Sequence, residues 1–292
     1  MRGKVNNNGV MLRYRCIGSG SDVVLIHGLA TNHAFWRLNM FLSLARDHRV
    51  TVFDMRGHGY SSKPAEGYTS LIMAEDLHHL LNHLGISKAH LIGHSIGGVV
   101  ALHYAVLHAE RVNTLTIADS RIRAIQPTNY ATQWPHWEKA KKKLEKIGLM
   151  LPEDEAESGF WLLERMASPE WIEARDKFEG SSLAVIFGGW NGGQRTAERW
   201  LDLLNTTTAR KDFTSLAGLT VDKLSTIQHP ALLVYGENSS SLASLHGLEE
   251  CLPHCRTLIF TNAGHFFPLT QAERFAAEVS QFLMEMEGEK CG

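Results

Sequence analysis

Cysteine is scarce in this chain, with four residues in 292. Cys16, Cys251, Cys255 and Cys291 do not form the dense pattern of a small disulfide-stapled domain. The spacing of Cys251 and Cys255 suits one turn of helix better than a zinc or redox motif, so no metal site is expected. Charge of one sign is lacking as well: 29 Lys and Arg stand against 31 Asp and Glu, a formal net charge of -2. No strong field is left to attract nucleic acid or an acidic membrane. Nowhere does an apolar run reach the ~18 residues that would suggest a membrane span. The opening residues MRGKVNNNGVMLRYRC also lack the apolar core of a secretory signal. A cytoplasmic protein acting on a small molecule is the expectation.

What the chain does have is a rhythm. Short runs rich in Val, Ile and Leu recur at 22–28, 49–54, 89–95, 112–120, 231–237 and 257–265. Each reads as a buried parallel strand. Between them lie segments with apolar residues at helical spacing, such as Ile72, Leu77, Leu80, Leu81 and Leu84, and the stretch 97–109. Strand alternating with helix predicts an α/β fold, a mostly parallel central sheet with helices on both faces. The alternation stops near residue 121 and resumes near 222. Residues 1–120 and 216–292 therefore read as the core, and 121–215 as an inserted helical cap. Six of the seven tryptophans (Trp134, Trp137, Trp161, Trp171, Trp190 and Trp200) fall in the insertion, either to pack it or to cover a site at the carboxyl ends of the strands. The charge runs 138–146 and 153–157 read as solvated helix faces and helix starts.

The chemistry centres on LIGHSIGG, residues 91–98, where Gly93-His94-Ser95-Ile96-Gly97 joins an apolar strand to a helical pattern. That context makes a G-x-S-x-G stretch meaningful. Glycines are needed because the turn is sharp and a Cβ at Gly93 or Gly97 would strike a neighbouring strand or helix. Ser95 then stands above the sheet as a nucleophile, with the backbone N–H of Ile96 aimed at a developing oxyanion. The second oxyanion donor is expected from the backbone N–H of Leu29, just after His27-Gly28, with His27 fixing that turn. A serine needs a base. Of the histidines, His265 follows a strand-like run and a glycine in FTNAGHFFPL, where a loop can return to the top of the sheet.

On these stretches, HGLATNHAFW, DMRGHGYSS, GHSIGG and NAGHFFPLTQAERF in that order, the chain resembles the α/β-hydrolase superfamily, in its capped branch of esterases, lactonases and C–C bond hydrolases. The resemblance thins across the insertion. It implies a scaffold role for Arg56 and His58, and it disfavours epoxide hydrolase or dehalogenase chemistry, whose nucleophile is an aspartate. It also exposes a gap. Most relatives close the strand at 231–237 with Gly-Glu-x-Asp, the triad acid, whereas this chain reads Gly236-Glu237-Asn238-Ser239. A subgroup of relatives carries the acid at the end of the preceding core strand, and there this chain has Asp119. Asp119, Glu237 and a dyad without an acid all remain open, as does an Asp119 that merely pairs with Arg121 or Arg123.

The expected function is a serine hydrolase that cleaves a small or medium ester, thioester or lactone through an acyl-enzyme, with no cofactor. One alternative is C–C cleavage of a ring-fission diketone, for which Arg121, Arg123, Lys139 and Arg195 would be candidate partners of an acidic substrate. The other is a ligand-binding member of the fold without turnover.

Overall fold

The structure is a computed structural model that describes residues 1–36, 40–146, 148–174 and 193–288. Cys291 and Trp190 lie outside the described residues. The chain begins with two strands that the apolar runs do not announce, β1 (Arg2–Asn7) and β2 (Val10–Ile17), paired antiparallel. Their turn is Asn8-Gly9, both at positive φ, a conformation that asparagine and glycine adopt most readily. The remaining strands are β3 (Asp22–Ile26), β4 (Arg49–Phe53), β5 (Ala89–His94), β6 (Val112–Ala118), β7 (Ala231–Gly236) and β8 (Cys255–Phe260). All eight form one sheet in the order β1-β2-β4-β3-β5-β6-β7-β8, antiparallel as far as the β2/β4 pair and parallel from β4 onward.

Alternate residues of the central strands enter two separate cores, which is why those strands read as unbroken apolar runs. Val24, Ile26, Leu91 and Ile117 face α2 (Ser70–His83) and α3 (Ile96–Leu107). Val23, Leu25, Ile92 and Ala118 face α1 (Met40–Leu44) and the C-terminal helix α12 (Ala272–Gly288). Burial at such positions stabilises the fold by about 1.5–3 kcal/mol per large apolar side chain. Thr69 caps α2 by accepting the Ile72 N–H.

Between β6 and β7 the described chain is helical: α4 (Trp137–Glu145), α5 (Ser158–Met166), α6 (Pro169–Ala174), α7 (Gly193–Thr206) and α8 (Ala209–Asp212) precede the short α9 (Val221–Leu224). These helices are fastened to the loop leaving the carboxyl end of β4. Lys63 meets Asp202 and Thr206, the Thr208 N–H donates to the Ala65 carbonyl, and the Tyr68 N–H donates to the Asp212 carboxylate. Trp200 packs between His58 and Phe213, and Trp134 meets Trp137 edge-on.

Two expectations need correcting. Cys251 closes α10 (Leu242–Cys251) while Cys255 opens β8, so the pair does not share a helical turn; Cys16, Cys251 and Cys255 are free thiols. Within 153–157, Glu157 does stand at a helix start, as the N-cap of α5, but it is not solvated. Its half-buried carboxylate binds both Arg121 and Arg123.

Candidate active site

At the carboxyl end of β5 the chain turns into α3 through Ser95, whose φ of 56° and ψ of -125° lie outside the usual regions for a residue with a Cβ. Neighbouring backbone enforces that strain. A Cβ on Gly93 would overlap the backbone of Gly97, and one on Gly97 would overlap the Ile26 carbonyl of β3. The elbow therefore sits tight against strand and helix. Ile96 is the first residue of α3, and the first N–H groups of a helix have no partner within it. Across from it, a Cβ on Gly28 would come within 3.1 Å of the Ser95 Cβ. That close approach brings the turn at Gly28 beside Ser95. His27 organises this turn: its Nε2 accepts the Met55 N–H at 3.1 Å, so its Nδ1 carries the hydrogen and donates to the Gly28 carbonyl at 2.8 Å.

His265 lies in the loop after β8, with its side chain about one-third exposed. Its Nδ1 is 2.7 Å from Asp119 Oδ1, so Nδ1–H donates to the carboxylate, and in the neutral ring Nε2 carries the lone pair. His94, next to Ser95, meets the His265 carbonyl through its Nε2 at 2.9 Å and lies 4.7 Å from the His265 ring. His94 thereby holds the backbone of His265.

Asp119 directly follows β6, fully buried, at a φ of 48°. Its N–H donates to the Val234 carbonyl, extending the β6/β7 pairing. Its Oδ2 accepts the Gly236 N–H at 2.9 Å, and its Oδ1 accepts the Ser239 hydroxyl at 2.6 Å as well as the His265 hydrogen. Burial alone would raise this carboxyl, but the hydrogen bond and charge of His265, with the Gly236 and Ser239 donors, hold it below the ordinary carboxylate range. Ser239, standing where the resemblance puts an acid, thus donates to Asp119. Glu237 is exposed and accepts the Asn262 N–H at 2.7 Å. Arg121 and Arg123 pair with Glu157, leaving Asp119 to His265.

Sequence reasoning names Ser239 only as a gap and misses its role as a donor, although a hydroxyl where an acid usually stands can donate to a nearby carboxylate. Arg56 and His58 hold the turn as the resemblance implies, the His58 Nδ1–H donating to the Arg56 carbonyl, and Asp54, which sequence reasoning does not single out, holds it with them. Asp54 accepts from the His33 N–H and Nδ1 and from the Tyr60 N–H, and Arg56 binds Asp76 and the Gly67 carbonyl.

A small open cleft lies beside the start of α3, and none of Ser95, His265 and Asp119 lines it. Ile96 and Val99 of α3, Arg121 and Arg123 after β6, and Asp212 and Phe213 from the end of the helical insertion lie along it. Phe213 is its aromatic wall among the described residues.

Buried neutral histidines give the fold a pH dependence. Burial, then His58, pushes His27 down to about 3, while burial, then His265, pushes His94 down to about 3. Between about 6.5, where an unfolded histidine titrates, and these folded values, the unfolded chain binds protons that the native chain refuses. Stability therefore falls as pH is lowered through that window. Each ring costs on the order of 2 kcal/mol between pH 6.5 and 5. The depressed carboxyl of Asp119 acts in the same direction at lower pH, its stabilisation being lost as pH falls from the unfolded carboxylate range through its folded value. Urea midpoints at pH 7.5 and 5 should differ accordingly, and His94→Gln should flatten the difference. Equal midpoints at the two pH values would remove this reading of the buried rings.

Sheet order, strained elbow and a histidine on a buried carboxylate define an α/β-hydrolase architecture. Residues 23–272 match the alpha/beta hydrolase fold family, and the chain belongs to it. Over 283 residues it is 28% identical to the dihydrolipoyllysine-residue acetyltransferase component of the acetoin cleaving system of Pseudomonas putida, an alignment that covers 96% of this chain and 68% of that protein. A soluble epoxide hydrolase of Corynebacterium sp. (strain C12) is 39% identical over 112 residues, 38% of this chain and 39% of that enzyme. Among solved structures, the N-acyl homoserine lactone degrading enzyme Est816 superposes with a TM-score of 0.69 at 26% identity, covering 96% of this chain and 100% of that one. The family, the epoxide hydrolase and the lactone-degrading enzyme support a hydrolase.

Proposed function

We propose that the protein is a serine hydrolase that opens neutral carboxylic esters, thioesters or lactones through an acyl-enzyme on Ser95. The observation that carries this reading is the 2.7 Å bond from His265 Nδ1 to the buried Asp119, which leaves Nε2 as the base. In the first step Ser95 Oγ attacks the carbonyl carbon as His265 Nε2 takes its proton. The N–H groups of Ile96 and Leu29 receive the oxyanion. Asp119 stabilises the imidazolium, which then passes its proton to the departing alcohol or thiol. Water, deprotonated by the same imidazole, releases the acid and restores Ser95. The serine at the elbow favours this route over the aspartate-ester route of epoxide hydrolases.

We assign the helices of 121–215 as a cap that sets substrate choice. Along the cleft the ionised groups balance among the described residues: Arg121 and Arg123 are cations, while Glu157, bound to both, and Asp212 are anions. Lys139 and Arg195 are exposed. Such a lining favours an uncharged substrate over an acidic diketone. In a panel of p-nitrophenyl esters of rising acyl length, lactones and one ring-fission diketone, the neutral compounds should exceed the diketone by ~100-fold or more in kcat/KM, since an acid without a counter-ion loses several kcal/mol on desolvation. A diketone turned over faster than every ester would transfer the reading to C–C cleavage, and no turnover at all would favour a ligand-binding protein.

A further inference from the structure

Ser239 is buried in the turn between β7 and α10. Its hydroxyl has one hydrogen to give, and a neighbouring amide decides where that hydrogen goes. The Ser241 N–H, which can only donate, meets Ser239 Oγ at 2.9 Å. The oxygen therefore accepts on that side, and its own hydrogen is directed to Asp119 Oδ1, 2.6 Å away. The turn that sets this direction is pinned in place: the Ser239 N–H donates to the Gly236 carbonyl, the Asn238 N–H to the Ala263 carbonyl, and the Gln126 amide to the Ser240 carbonyl. Apart from His265, each oxygen of the Asp119 carboxylate thus has its own donor, Ser239 on Oδ1 and the Gly236 N–H on Oδ2. Two donors fix the plane of a carboxylate, whereas one leaves it free to turn. Asp119 is fully buried, so its aim is set by these groups.

We propose that Ser239 is a positioning residue for the reaction at Ser95: it acts through Asp119, holding Oδ1 in line with His265 Nδ1 so that the ring presents Nε2 to the serine. The inference rests on the serine hydrolase reading and adds a fourth side chain to its machinery. Ser239 also shares Oδ1 with His265. Without its hydrogen, that oxygen would hold a proton, or an imidazolium, more strongly, and the titration of the pair as a whole would move to higher pH. The other titratable groups beside Asp119 are His94 on β5, which burial and then His265 push down to about 3, and Tyr235 on β7, which burial holds well above its ordinary value and whose hydroxyl donates to the Ser120 carbonyl. Neither changes charge between about pH 5 and 8. The acid side of the rate profile therefore reports on Asp119 and His265 together.

The test is Ser239→Ala, assayed on the fastest p-nitrophenyl ester of the panel. Loss of one charge-assisted hydrogen bond should lower kcat about 10- to 100-fold, with KM within about twofold of wild type because the hydroxyl is spent on Asp119 and not on substrate. The acid-side pH at which kcat/KM is half its plateau should rise by about half a pH unit or more, and the far-downfield proton NMR signal of the His265 Nδ1–H should shift or broaden. Ser240→Ala, in the same turn but with its hydroxyl toward Asn129, should leave the profile in place and kcat within about twofold. A Ser239→Ala protein as fast as wild type would overturn the role, and so would a slower one whose acid limb and proton signal stay where they were, since that is the behaviour of a residue that only packs. If Ser239→Ala does not fold, Ser239→Cys, close in shape and a far weaker donor, is held to the same criteria. Fluorophosphonate labelling of the wild-type protein is scored separately. Labelling of Ser95 together with an insensitive Ser239→Ala rejects Ser239 alone, whereas absence of both labelling and turnover in the wild-type protein rejects the hydrolase reading on which it stands.

Discussion

Ser95→Ala is expected to remove turnover of every ester substrate, by roughly 10⁵- to 10⁶-fold in kcat, the scale at which a serine nucleophile and its base act as one unit. The fold should survive. Alanine has less bulk than serine at a position whose backbone is already held at φ 56° by the packing of Gly93 and Gly97, and Ser95 forms no side-chain cap on α3. Circular dichroism and the urea midpoint should stay near wild type while the rate disappears. If the rate persisted within about tenfold of wild type, the elbow would be only a structural turn.

The next largest effect is expected at the displaced acid. Asp119→Asn keeps the volume but offers an amide that can favour the wrong tautomer of His265, and kcat should fall about 10³- to 10⁴-fold. Glu237→Gln should change the rate by less than about tenfold, because its carboxylate is tied to the Asn262 N–H on the surface. The bond from Ser239 to Asp119 Oδ1 sharpens the forecast. Ser239→Asp in the wild-type background sets a second carboxylate beside a buried one, which disfavours ionisation of both, and activity should drop. In the Asp119→Asn background the same change supplies a carboxylate next to His265 and should recover part of the lost rate. A silent Asp119→Asn would leave a serine and histidine dyad, and a crippling Glu237→Gln would move the acid there.

How far the chain could be read from its letters depended on the range of the interactions involved. The strands β3 to β7 are legible because burial on both faces demands continuous Val, Ile and Leu, whereas β8, mostly exposed at the sheet edge, shows only the short apolar run Leu258-Ile259-Phe260. The β1–β2 hairpin, half exposed and polar on one side, escaped that filter, although Asn8-Gly9 between alternating residues is a local turn signal. Ser95 is legible because strand, glycines and helix are contiguous around it. Asp119 was one choice among three, since its bond to His265 spans 146 positions. Glu157 with Arg121 and Arg123, 36 and 34 positions away, looked like part of a solvated run for the same reason.

The central claim is that Ser95 is a nucleophile activated by a neutral His265, and its most direct measurement is covalent labelling mapped to a residue. A fluorophosphonate probe should add one mass per chain, found by peptide mass spectrometry on the peptide containing Ser95. Labelling should be absent in Ser95→Ala, and it should slow by orders of magnitude in Asp119→Asn. An adduct on another residue, or equal labelling of the wild-type and Ser95→Ala proteins, would contradict the account.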